Sequence, residues 1–348
     1  MKCKRCETVP SLPEKANLIY TFIPTHHHEP LFETCLNDHA MSFKKIHDYY
    51  VVETQDLDQY ITMLTSIFNP LEQRDIKVMP FNGKSGVLLD DLVHMKSLTE
   101  WIHYYQANEL RHVLKHNSLE VNFQPIMKGN GVDVFGYEGL IRGIDAAGNI
   151  IPPNILFRQA RQIDLLFNLD KAAREKVIEV AAKRNIDKHL FINFLPTAIY
   201  KPELCLKTTN AAISQYGLKP ENITFEVVET ERVKDFNHLN DILSFYKKQG
   251  YQTALDDVGT GYSNIKTIQK LKPNLIKIDR SIVENIQNSK AKQKLVKKYL
   301  DVCNQLNIKV LAEGIETKEE ADFFISMNVD YLQGYYFGKP AKEFLSIN

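Results

Sequence analysis

Residues 254–264 read Ala-Leu-Asp-Asp-Val-Gly-Thr-Gly-Tyr-Ser-Asn, so an apolar run leads directly into two adjacent carboxylates and a glycine-punctuated turn. Asp256 and Asp257 repel each other and are costly to desolvate, which makes the end of a buried strand an unfavourable place for them. A divalent cation removes that repulsion, because hard cations such as Mg²⁺ prefer carboxylate oxygens. A solvated Asp-Asp turn is the alternative. Polar residues at the ends of several other apolar runs favour the metal site.

Short apolar runs alternate with amphipathic segments on both sides of this stretch, from about residue 118 onward. The predicted strands are Val121–Met127, Tyr137–Ile141, Leu190–Phe194, Ile223–Val228, Gln252–Leu255, Leu275–Ile278, Lys309–Ala312 and Tyr331–Gln333. The predicted helices are Ile155–Asn185, Asn210–Tyr216, Asn237–Gln249, Lys292–Asn307 and Lys318–Met327. Strands interleaved with helices in this way are typical of a β/α barrel.

The connection between the first two strands differs from the others. It consists of Lys128–Gly136, which is glycine-rich and too short for a crossover helix, so these two strands should be antiparallel. We therefore predict an α/β fold, a modified TIM (β/α)8 barrel with one antiparallel strand. A doubly wound open sheet is the structural alternative, but no Gly-x-Gly-x-x-Gly fingerprint follows an early strand.

The composition is that of a globular protein with one large and one smaller domain: 348 residues, 44% hydrophobic and 25% charged. The 43 basic residues balance the 43 acidic ones, which gives no electrostatic case for a nucleic acid polymer or an anionic membrane. No apolar run has the length of a membrane span, and the charged start Met1–Cys6 does not resemble a secretory signal. Five cysteines are an odd number for a disulfide framework, so we expect a cytoplasmic protein.

Polar side chains follow the predicted strands one after another. In a barrel of this kind the active site lies at the carboxyl ends of the strands. Any single one of these side chains has a structural explanation, such as an exposed strand position or a turn. Together, so many carboxylates in one barrel mouth predict bound metal, because their repulsion would otherwise be uncompensated. The polar residues in question are Glu138, Arg142, Asn193, Glu226, Glu229, Asp256, Asp257, Lys277, Asp279, Glu313, Glu316 and Gln333.

The chemistry that this set predicts is metal-assisted hydrolysis. Two divalent ions about 3.5–4 Å apart can hold a bridging water, lower its pKa and neutralise charge on a phosphodiester. Lys277 is suited to polarise or deprotonate that water, or to stabilise developing negative charge. Arg142 offers the planar fork that fits a phosphate oxygen, and Gly259-Thr260-Gly261 forms a pliable loop beside the aspartates.

Residues from about 105 to 345 resemble the EAL-domain cyclic-di-GMP phosphodiesterases of bacteria. The resemblance implies a modified TIM barrel that depends on Mg²⁺ or Mn²⁺, hydrolyses cyclic di-GMP to linear pGpG and forms a homodimer. The motifs that carry it, in chain order, are Phe123–Ile126, Tyr137–Arg142, Ile192-Asn193, Phe225–Thr230, Asp256–Asn264, Ile276–Asp279, Ala312–Glu316 and Leu332–Tyr335.

The resemblance also assigns roles to individual residues. The implied ligands of a two-metal site are Glu138, Asn193, Glu226, Asp256, Asp257 and Glu313. The implied catalytic residues are Lys277, which contacts the hydrolytic water, Glu313, Gln333, and Glu229, which anchors the Asp256–Asn264 loop. The implied substrate-binding residues are Gln124, Glu138, Leu140, Arg142, Asn193, Asp279 and Glu316. Of these, Asp279 and Glu316 are expected to act through hydrogen bonds behind the ligands.

Two positions depart from the family pattern. Gly139 stands where the signature triplet has alanine, and we expect the missing methyl group to cost on the order of a kcal/mol or less in strand rigidity. Val258 stands where an aromatic residue is more usual. Neither change removes a catalytic group, so the sequence favours an active enzyme.

Residues 1–95 are predicted to form a small N-terminal α+β domain with a regulatory or sensory role, because the barrel chemistry does not need them. They contain strand-like runs at Leu18–Ile23 and Tyr49–Val52 and a helical run at Leu57–Ile67. Residues 96–117 are predicted as a connecting helix within the helical pattern Met95–His116, and residues 118–348 as the phosphodiesterase barrel.

A zinc site in the N-terminal domain is a further hypothesis. Cys3 and Cys6 form a Cys-x-x-Cys pair, and Cys35 with His39, or with one histidine of His26–His28, would complete a Zn²⁺ site. The spacing before the second pair is longer than in common zinc fingers. A redox pair or plain exposed thiols are the alternatives.

Three functions remain open from the sequence. The chain is an active cyclic-di-GMP phosphodiesterase regulated by its N-terminal domain, a catalytically silent receptor of the same dinucleotide, or an interaction protein whose N-terminal part recruits partners. Degenerate members of the family typically lose metal ligands or the loop glutamate, and this chain has all of them. We therefore expect an active enzyme.

Overall fold

The computed structural model describes residues 18–54, 56–82, 89–228, 235–259 and 264–343. The chain divides into two compact units. The N-terminal unit comprises the residues up to Lys115 together with Asn154–Leu166. The larger unit, or barrel unit, comprises His116–Pro153 and the residues from Phe167 onward. Within the described ranges, no helix combines the length and the apolar character that crossing a membrane requires.

The N-terminal unit contains a five-stranded antiparallel sheet in the order β2-β3-β1-β4-β5. With the helices around this sheet, the predicted α+β character of the N-terminal part is confirmed. The strands are β1 (Leu18–Phe22), β2 (Ser42–Ile46), β3 (Tyr49–Glu53), β4 (Lys77–Phe81) and β5 (Lys96–Ser97). The helices before β6 are Glu29–Asp38, Leu57–Ile67, Glu72–Asp75, Leu98–Gln106 and Asn108–His116, and nearly all of the helix Pro153–Gln162 also belongs to this unit.

The helix Leu57–Ile67 shows how the sequence builds this unit. Asp56 accepts a hydrogen bond from the backbone N–H of Gln59 and so caps the first turn. Apolar side chains then recur at the helical spacing and enter the core of the unit. These buried residues are Leu57, Tyr60, Ile61, Met63 and Leu64.

The helical pattern Met95–His116 forms two helices rather than one. The first ends at Gln106, and the second begins at Asn108, a residue type that favours helix starts. Trp101 on the first helix is fully buried, and its indole N–H donates a hydrogen bond of 3.0 Å to the carbonyl of Val78 on β4. This helix is therefore part of the core of the N-terminal unit.

The larger unit is a closed eight-stranded barrel with one extra strand, β8. The strand order is β6-β14-β13-β12-β11-β10-β9-β7-β8, and β6 also pairs with β7, which closes the barrel. β6 is antiparallel to both of its neighbours, whereas β7 and the strands β9 to β14 run parallel. The predicted modified TIM barrel with one antiparallel strand is confirmed, and closure excludes the open sheet. The strands are β6 (Leu119–Lys128), β7 (Val134–Ile144), β8 (Ile150–Ile151), β9 (His189–Phe194), β10 (Ile223–Val227), β11 (Gln252–Val258), β12 (Leu275–Ile278), β13 (Lys309–Ala312) and β14 (Tyr331–Gln333).

The helices that connect these strands differ from the predicted ones in two respects. The single helix predicted over Ile155–Asn185 is two helices, because the backbone at Asp164 is left-handed, with φ +59°. The predicted set also lacks three short helices: Pro202–Cys205, Ile265–Leu271 and Arg280–Val283. Segments this short carry too little periodicity to indicate a helix. The helices after β8 are Pro153–Gln162, Leu166–Lys183, Pro202–Cys205, Lys207–Gln215, Phe236–Lys248, Ile265–Leu271, Arg280–Val283, Lys290–Leu306 and Lys318–Ser326.

The strand period of two residues explains why polar side chains gather at one end of the barrel. Successive side chains point to opposite faces of a strand, so residues two apart share a face. Five strands contribute to one buried apolar cluster, which consists of Ile126, Phe191, Ala254, Leu275 and Leu311. Two positions further along the chain from four of these residues lie Asn193, Asp256, Lys277 and, just after the end of β13, Glu313. The apolar cluster therefore lies beneath a polar layer at the carboxyl ends of the strands.

Candidate active site

Lys277 on β12 lies at the centre of the polar layer, and its side chain is almost fully buried. Its ammonium nitrogen Nζ approaches carboxylate oxygens that come from four different strands or strand ends. A buried ammonium with four carboxyl neighbours is not a balanced ion pair, because the acidic groups outnumber the single basic one. The carboxylates and their distances from Nζ are Glu138 at 3.4 Å, Glu226 at 3.2 Å, Asp256 at 3.3 Å and Glu313 at 3.1 Å.

Amide side chains complete this layer around Glu138. Asn193 Nδ2 donates a hydrogen bond of 2.7 Å to Glu138 Oε1, and Gln333 Nε2 donates one of 2.7 Å to Glu138 Oε2. Gln333 Nε2 also donates to Gln124 Oε1 at 3.3 Å. Gln124 lies directly opposite Glu138 in the pairing of β6 with β7. The antiparallel strand thus contributes to the same network as the parallel ones.

Asp256 and Asp257 lie in an irregular part of β11. The pairing register with β12 shifts between Leu255 and Val258, and Asp257 has a left-handed backbone with φ +51°. For a residue other than glycine this conformation costs roughly 1 kcal/mol, and such strain is concentrated at functional sites. The irregularity brings consecutive carboxylates together, since oxygens of Asp256, Asp257 and Glu313 lie within 4.8 Å of one another. Across the residues that the structure describes, this is the one such group of three acidic, histidine or cysteine side chains.

Glu138 and Lys277 are both charged because of their partners. Burial alone raises the pKa of the Glu138 carboxyl, but the Lys277 ammonium and the amide donors outweigh burial and lower this pKa below its ordinary value. Burial also opposes charge on Lys277, and the surrounding carboxylates outweigh it and raise the lysine pKa. The pair therefore stays ionised in a site from which most water is excluded.

The other carboxyls bind protons more readily than usual. Burial raises the pKa of Glu226 and of Asp256, repulsion from neighbouring carboxylates raises both further, and Lys277 offsets this only in part. For the same reasons the pKa of Glu313 is raised to about 8. One ammonium group does not compensate four carboxylates, so the site favours added positive charge.

The donor atoms fit a hard divalent cation. Three buried oxygens of the polar layer have no hydrogen-bond partner among the described residues: Asn193 Oδ1, Glu226 Oε1 and Gln333 Oε1. Asp256 Oδ1 also accepts none, although the Lys277 ammonium lies 3.3 Å away. Leaving buried oxygens without partners is costly. Carboxylate and amide oxygens are the ligands that Mg²⁺ and Mn²⁺ prefer, so the residues present suit such an ion.

Leu140 and Arg142 follow Glu138 on β7, and both are half-buried. Arg142 Nη1 donates a hydrogen bond of 2.7 Å to the carbonyl of Ile141, its neighbour on the strand. The remaining nitrogens of this guanidinium can still form the fork that a phosphate group requires.

Asp279 and Glu316 are both neighbours of Arg280, Asp279 along the chain and Glu316 through an ion pair. Asp279 Oδ1 accepts a hydrogen bond of 2.9 Å from the backbone N–H of Ser281 and caps the short helix that follows β12. Glu316 Oε1 pairs with Arg280 Nη2 at 2.9 Å, and both side chains are exposed to solvent. These contacts order the rim of the barrel mouth after β12 and β13.

Several predicted site residues lie outside the described residues: Glu229, the loop residues Thr260–Ser263, Cys3 and Cys6. Cys35 is buried, and its Sγ lies 3.7 Å from His39 Nδ1, as expected for neighbours one helical turn apart. The zinc hypothesis needs Cys3 and Cys6 as well, so it stays a prediction.

Comparison with known proteins agrees with this geometry. A family model described as the EAL domain matches residues 107–340. An uncharacterized signaling protein of Caulobacter vibrioides is 32% identical over 235 residues, which cover 68% of this chain and 29% of that protein. A probable cyclic di-GMP phosphodiesterase of Escherichia coli, PdeG, is 29% identical over 235 residues, covering 66% of this chain and 46% of the relative.

A solved structure shares the fold of the barrel unit. It is a standalone EAL protein from Vibrio cholerae O395 in a c-di-GMP-bound form, with 37% sequence identity and a TM-score of 0.60. The match covers 66% of this chain and 95% of that one. This chain spans less than half the length of the two longer relatives. Because the family model matches well over half of the chain and includes the whole polar layer, the chain belongs to the EAL domain family.

Proposed function

We propose that this chain hydrolyses cyclic di-GMP to linear pGpG. The observation that carries the proposal is the excess of buried carboxylate around Lys277, which has four carboxylate neighbours within 3.4 Å. A structural ion pair would be balanced, whereas a site built to take up cations is not. The name of the Escherichia coli relative and the c-di-GMP-bound form of the Vibrio cholerae protein support the choice of substrate.

The site is proposed to hold two Mg²⁺ or Mn²⁺ ions. Bound divalent cations lower the pKa of a water molecule and neutralise charge on a phosphodiester. Unpartnered buried oxygens on Asn193 and Glu226 support this assignment, as does the approach of Asp256, Asp257 and Glu313. The proposed ligands are Glu138, Asn193, Glu226, Asp256, Asp257 and Glu313.

Lys277 and Gln333 are proposed to orient the hydrolytic water. An ammonium group only donates hydrogen bonds, whereas the Gln333 Oε1 oxygen only accepts them and has no partner among the described residues. Both side chains contact Glu138 Oε2, so their polar ends lie close together. A donor and an acceptor placed in this way fix a water oxygen with a lone pair available for attack on phosphorus.

The substrate contacts are proposed on β7 and along the rim of the barrel. The Arg142 fork would bind a phosphate oxygen, and the half-buried Leu140 would face the dinucleotide. Glu229 is proposed to anchor the loop after β11. Asp279 and Glu316 would act indirectly, through the ordered rim around Arg280. Gln124 would act through its hydrogen bond with Gln333.

Turnover by the full chain is the direct test. The protein is incubated with cyclic di-GMP and Mg²⁺ or Mn²⁺, and pGpG is followed by chromatography. Glu138→Ala should abolish conversion, because it removes a ligand and the partner of three polar side chains. Glu179→Gln is the matched control, since this glutamate lies on an outer helix and pairs with Lys176 and Lys183. Dinucleotide binding without conversion in the wild type would contradict the enzyme and identify a receptor.

Assembly and regulation are also proposed on the family resemblance. We expect a cytoplasmic homodimer whose turnover is regulated by the N-terminal unit. Light scattering of the full chain should give twice the 40.1 kDa mass of one copy. A monomeric mass at concentrations that support full turnover would contradict the dimer.

A further inference from the structure

Asp170 and Arg174 form a buried ion pair on the helix Leu166–Lys183. Their side chains are 2% and 0% exposed. Arg174 donates from Nε and Nη2 to the same oxygen, Asp170 Oδ2, at 3.0 and 2.9 Å. Its Nη1 donates to Thr209 Oγ1 on the helix Lys207–Gln215. The guanidinium is thus fixed on both sides, and it fixes one oxygen of the carboxylate.

The second oxygen of Asp170 contacts the end of β9. Asp170 Oδ1 accepts the backbone N–H of Leu195 at 2.8 Å. Leu195 is the first residue after β9 and lies two residues beyond Asn193. The carboxylate therefore determines where the backbone leaves the strand, immediately after a proposed metal ligand.

Asn193 depends on this backbone for the position of its side chain. Its Nδ2 donates a hydrogen bond to Glu138 Oε1, and its Oδ1 is buried without a hydrogen-bond partner among the described residues. Because the asparagine side chain is short, a displacement of the strand end moves Oδ1 by a similar distance. Residues that hold a ligand in place in this way affect metal affinity without contacting the metal.

We propose that Asp170 is a positioning residue, which fixes the end of β9 so that Asn193 Oδ1 is preset to bind a divalent cation. This inference rests on the proposed function, because it assumes that Asn193 is a ligand. The sequence gives little signal for it, since an Asp and an Arg four residues apart on a helix are most often an exposed pair of small effect. Only burial and the Leu195 contact distinguish this pair.

The test removes both charges together, because an apolar substitution of one partner alone would leave the other charge buried and unpaired and would risk unfolding. Asp170→Leu combined with Arg174→Met keeps apolar bulk and deletes the acceptor for the Leu195 N–H. Thr209→Val is the matched control, since it removes the far end of the same network and leaves the Asp170–Leu195 hydrogen bond intact. Asp170→Asn serves as a second variant if the double variant does not fold. An asparagine side chain has one acceptor oxygen, whereas the Asp170 carboxylate offers one oxygen to Arg174 and the other to the Leu195 N–H.

Two readouts are independent of turnover. The Mn²⁺ dissociation constant of the metal-stripped protein is measured by electron paramagnetic resonance without substrate, and amide hydrogen exchange is measured for a peptide that includes Leu195. In the folded variant we expect the dissociation constant to rise about 10-fold or more and exchange at Leu195 to accelerate. Thr209→Val should stay within about twofold of the wild type in both measurements.

A purely structural role predicts a different outcome. It would lower the unfolding temperature of the Asp170 variants and leave the Mn²⁺ dissociation constant of the folded protein unchanged, which would overturn the inference while the proposed function stands. Failure of the wild type itself to bind Mn²⁺ would overturn the proposed function, and this inference with it.

Discussion

Gly139 on β7 packs directly against Val177 on the helix Leu166–Lys183. A β-carbon at Gly139 would lie 2.4 Å from Val177 Cγ1, and Val177 is 2% exposed. The side chain of Val177 therefore occupies the space that the alanine methyl of the family's signature triplet would need. The sequence predicts only a loss of strand rigidity at Gly139, whereas the structure shows that a neighbouring side chain fills the position.

Gly139→Ala should therefore destabilise the barrel unit by about 1–3 kcal/mol through overpacking. Val177→Ala should also destabilise it, because it leaves a cavity. In the double variant the new methyl enters the vacated space, so the two effects should offset each other by about 0.5–3 kcal/mol. Urea unfolding followed by circular dichroism measures the free energies of unfolding. Strictly additive effects would contradict the packing relationship.

Lys277→Met should make the stability of the protein depend strongly on metal. The variant removes the cation that four carboxylates share, so we expect the metal-stripped protein to lose about 3–5 kcal/mol. Added Mn²⁺ should then raise the unfolding temperature of the variant more than that of the wild type. Lys183→Met is the matched control, because Lys183 is exposed and pairs with Glu179 on the outer helix. Equal unfolding temperatures for variant and wild type without metal would contradict this role.

The same variant tests the proposed chemistry. Lys277→Met should lower the rate of cyclic di-GMP hydrolysis by orders of magnitude and spare binding of the dinucleotide, because Lys277 is proposed to act on the water. A kcat close to that of the wild type, measured at saturating Mn²⁺, would show that another group orients the water.

Metal binding should release protons near neutral pH. The pKa of Glu313 is raised to about 8, so this carboxyl is mostly protonated at pH 7 in the metal-stripped protein, whereas a metal ligand must be ionised. Affinity for Mn²⁺ should therefore rise as the pH increases toward 8. Titration calorimetry in two buffers of different ionisation enthalpy counts the released protons, and Glu313→Gln should reduce that number. A heat of binding that does not depend on the buffer would contradict the prediction.

The sign of the linked stability effect follows from the same shift. The folded protein retains a proton on Glu313 up to a pH of about 8, whereas the unfolded chain loses it near the ordinary pKa of 4.5. The folded state thus binds more protons than the unfolded state between these values, so the metal-stripped protein should lose stability as the pH rises through this window. Thermal unfolding at pH 6 and pH 8 measures this, and Mn²⁺ should diminish the difference.

The barrel strands could be predicted because their signals are local. Short apolar runs between helical patterns locate β9, β10, β12, β13 and β14 to within about a residue. The polar residue two positions beyond four of the five apolar cluster residues is also visible in the sequence, which is why Lys277 and Glu313 could be singled out. That Lys277 contacts four carboxylates is a consequence of barrel closure, which no local pattern contains.

Other features depend on contacts between distant segments. The packing of Val177 against Gly139 brings together a helix and a strand more than thirty residues apart in the chain. The hydrogen bond from the Leu195 N–H to Asp170 spans 25 residues. The strand β2 gives almost no signal, since most of its residues are exposed and two of its five are lysines. Its place at the sheet edge beside β3 is decided by pairing rather than by its own pattern.

The side chains of Thr21 and Tyr60 form a buried hydrogen bond in the N-terminal unit. Their hydroxyl oxygens lie 2.7 Å apart, and both residues are fully buried in the N-terminal unit. Thr21→Val should cost about 1–3 kcal/mol, because it leaves the Tyr60 hydroxyl buried without its partner. Adding Tyr60→Phe removes that unpaired group, so the double variant should be more stable than Thr21→Val alone. Fluorescence of Trp101, the one tryptophan in the sequence, reports unfolding of this unit, since its indole bonds to Val78 on β4. A double variant no more stable than the single one would show that Tyr60 finds another partner once Thr21 is lost.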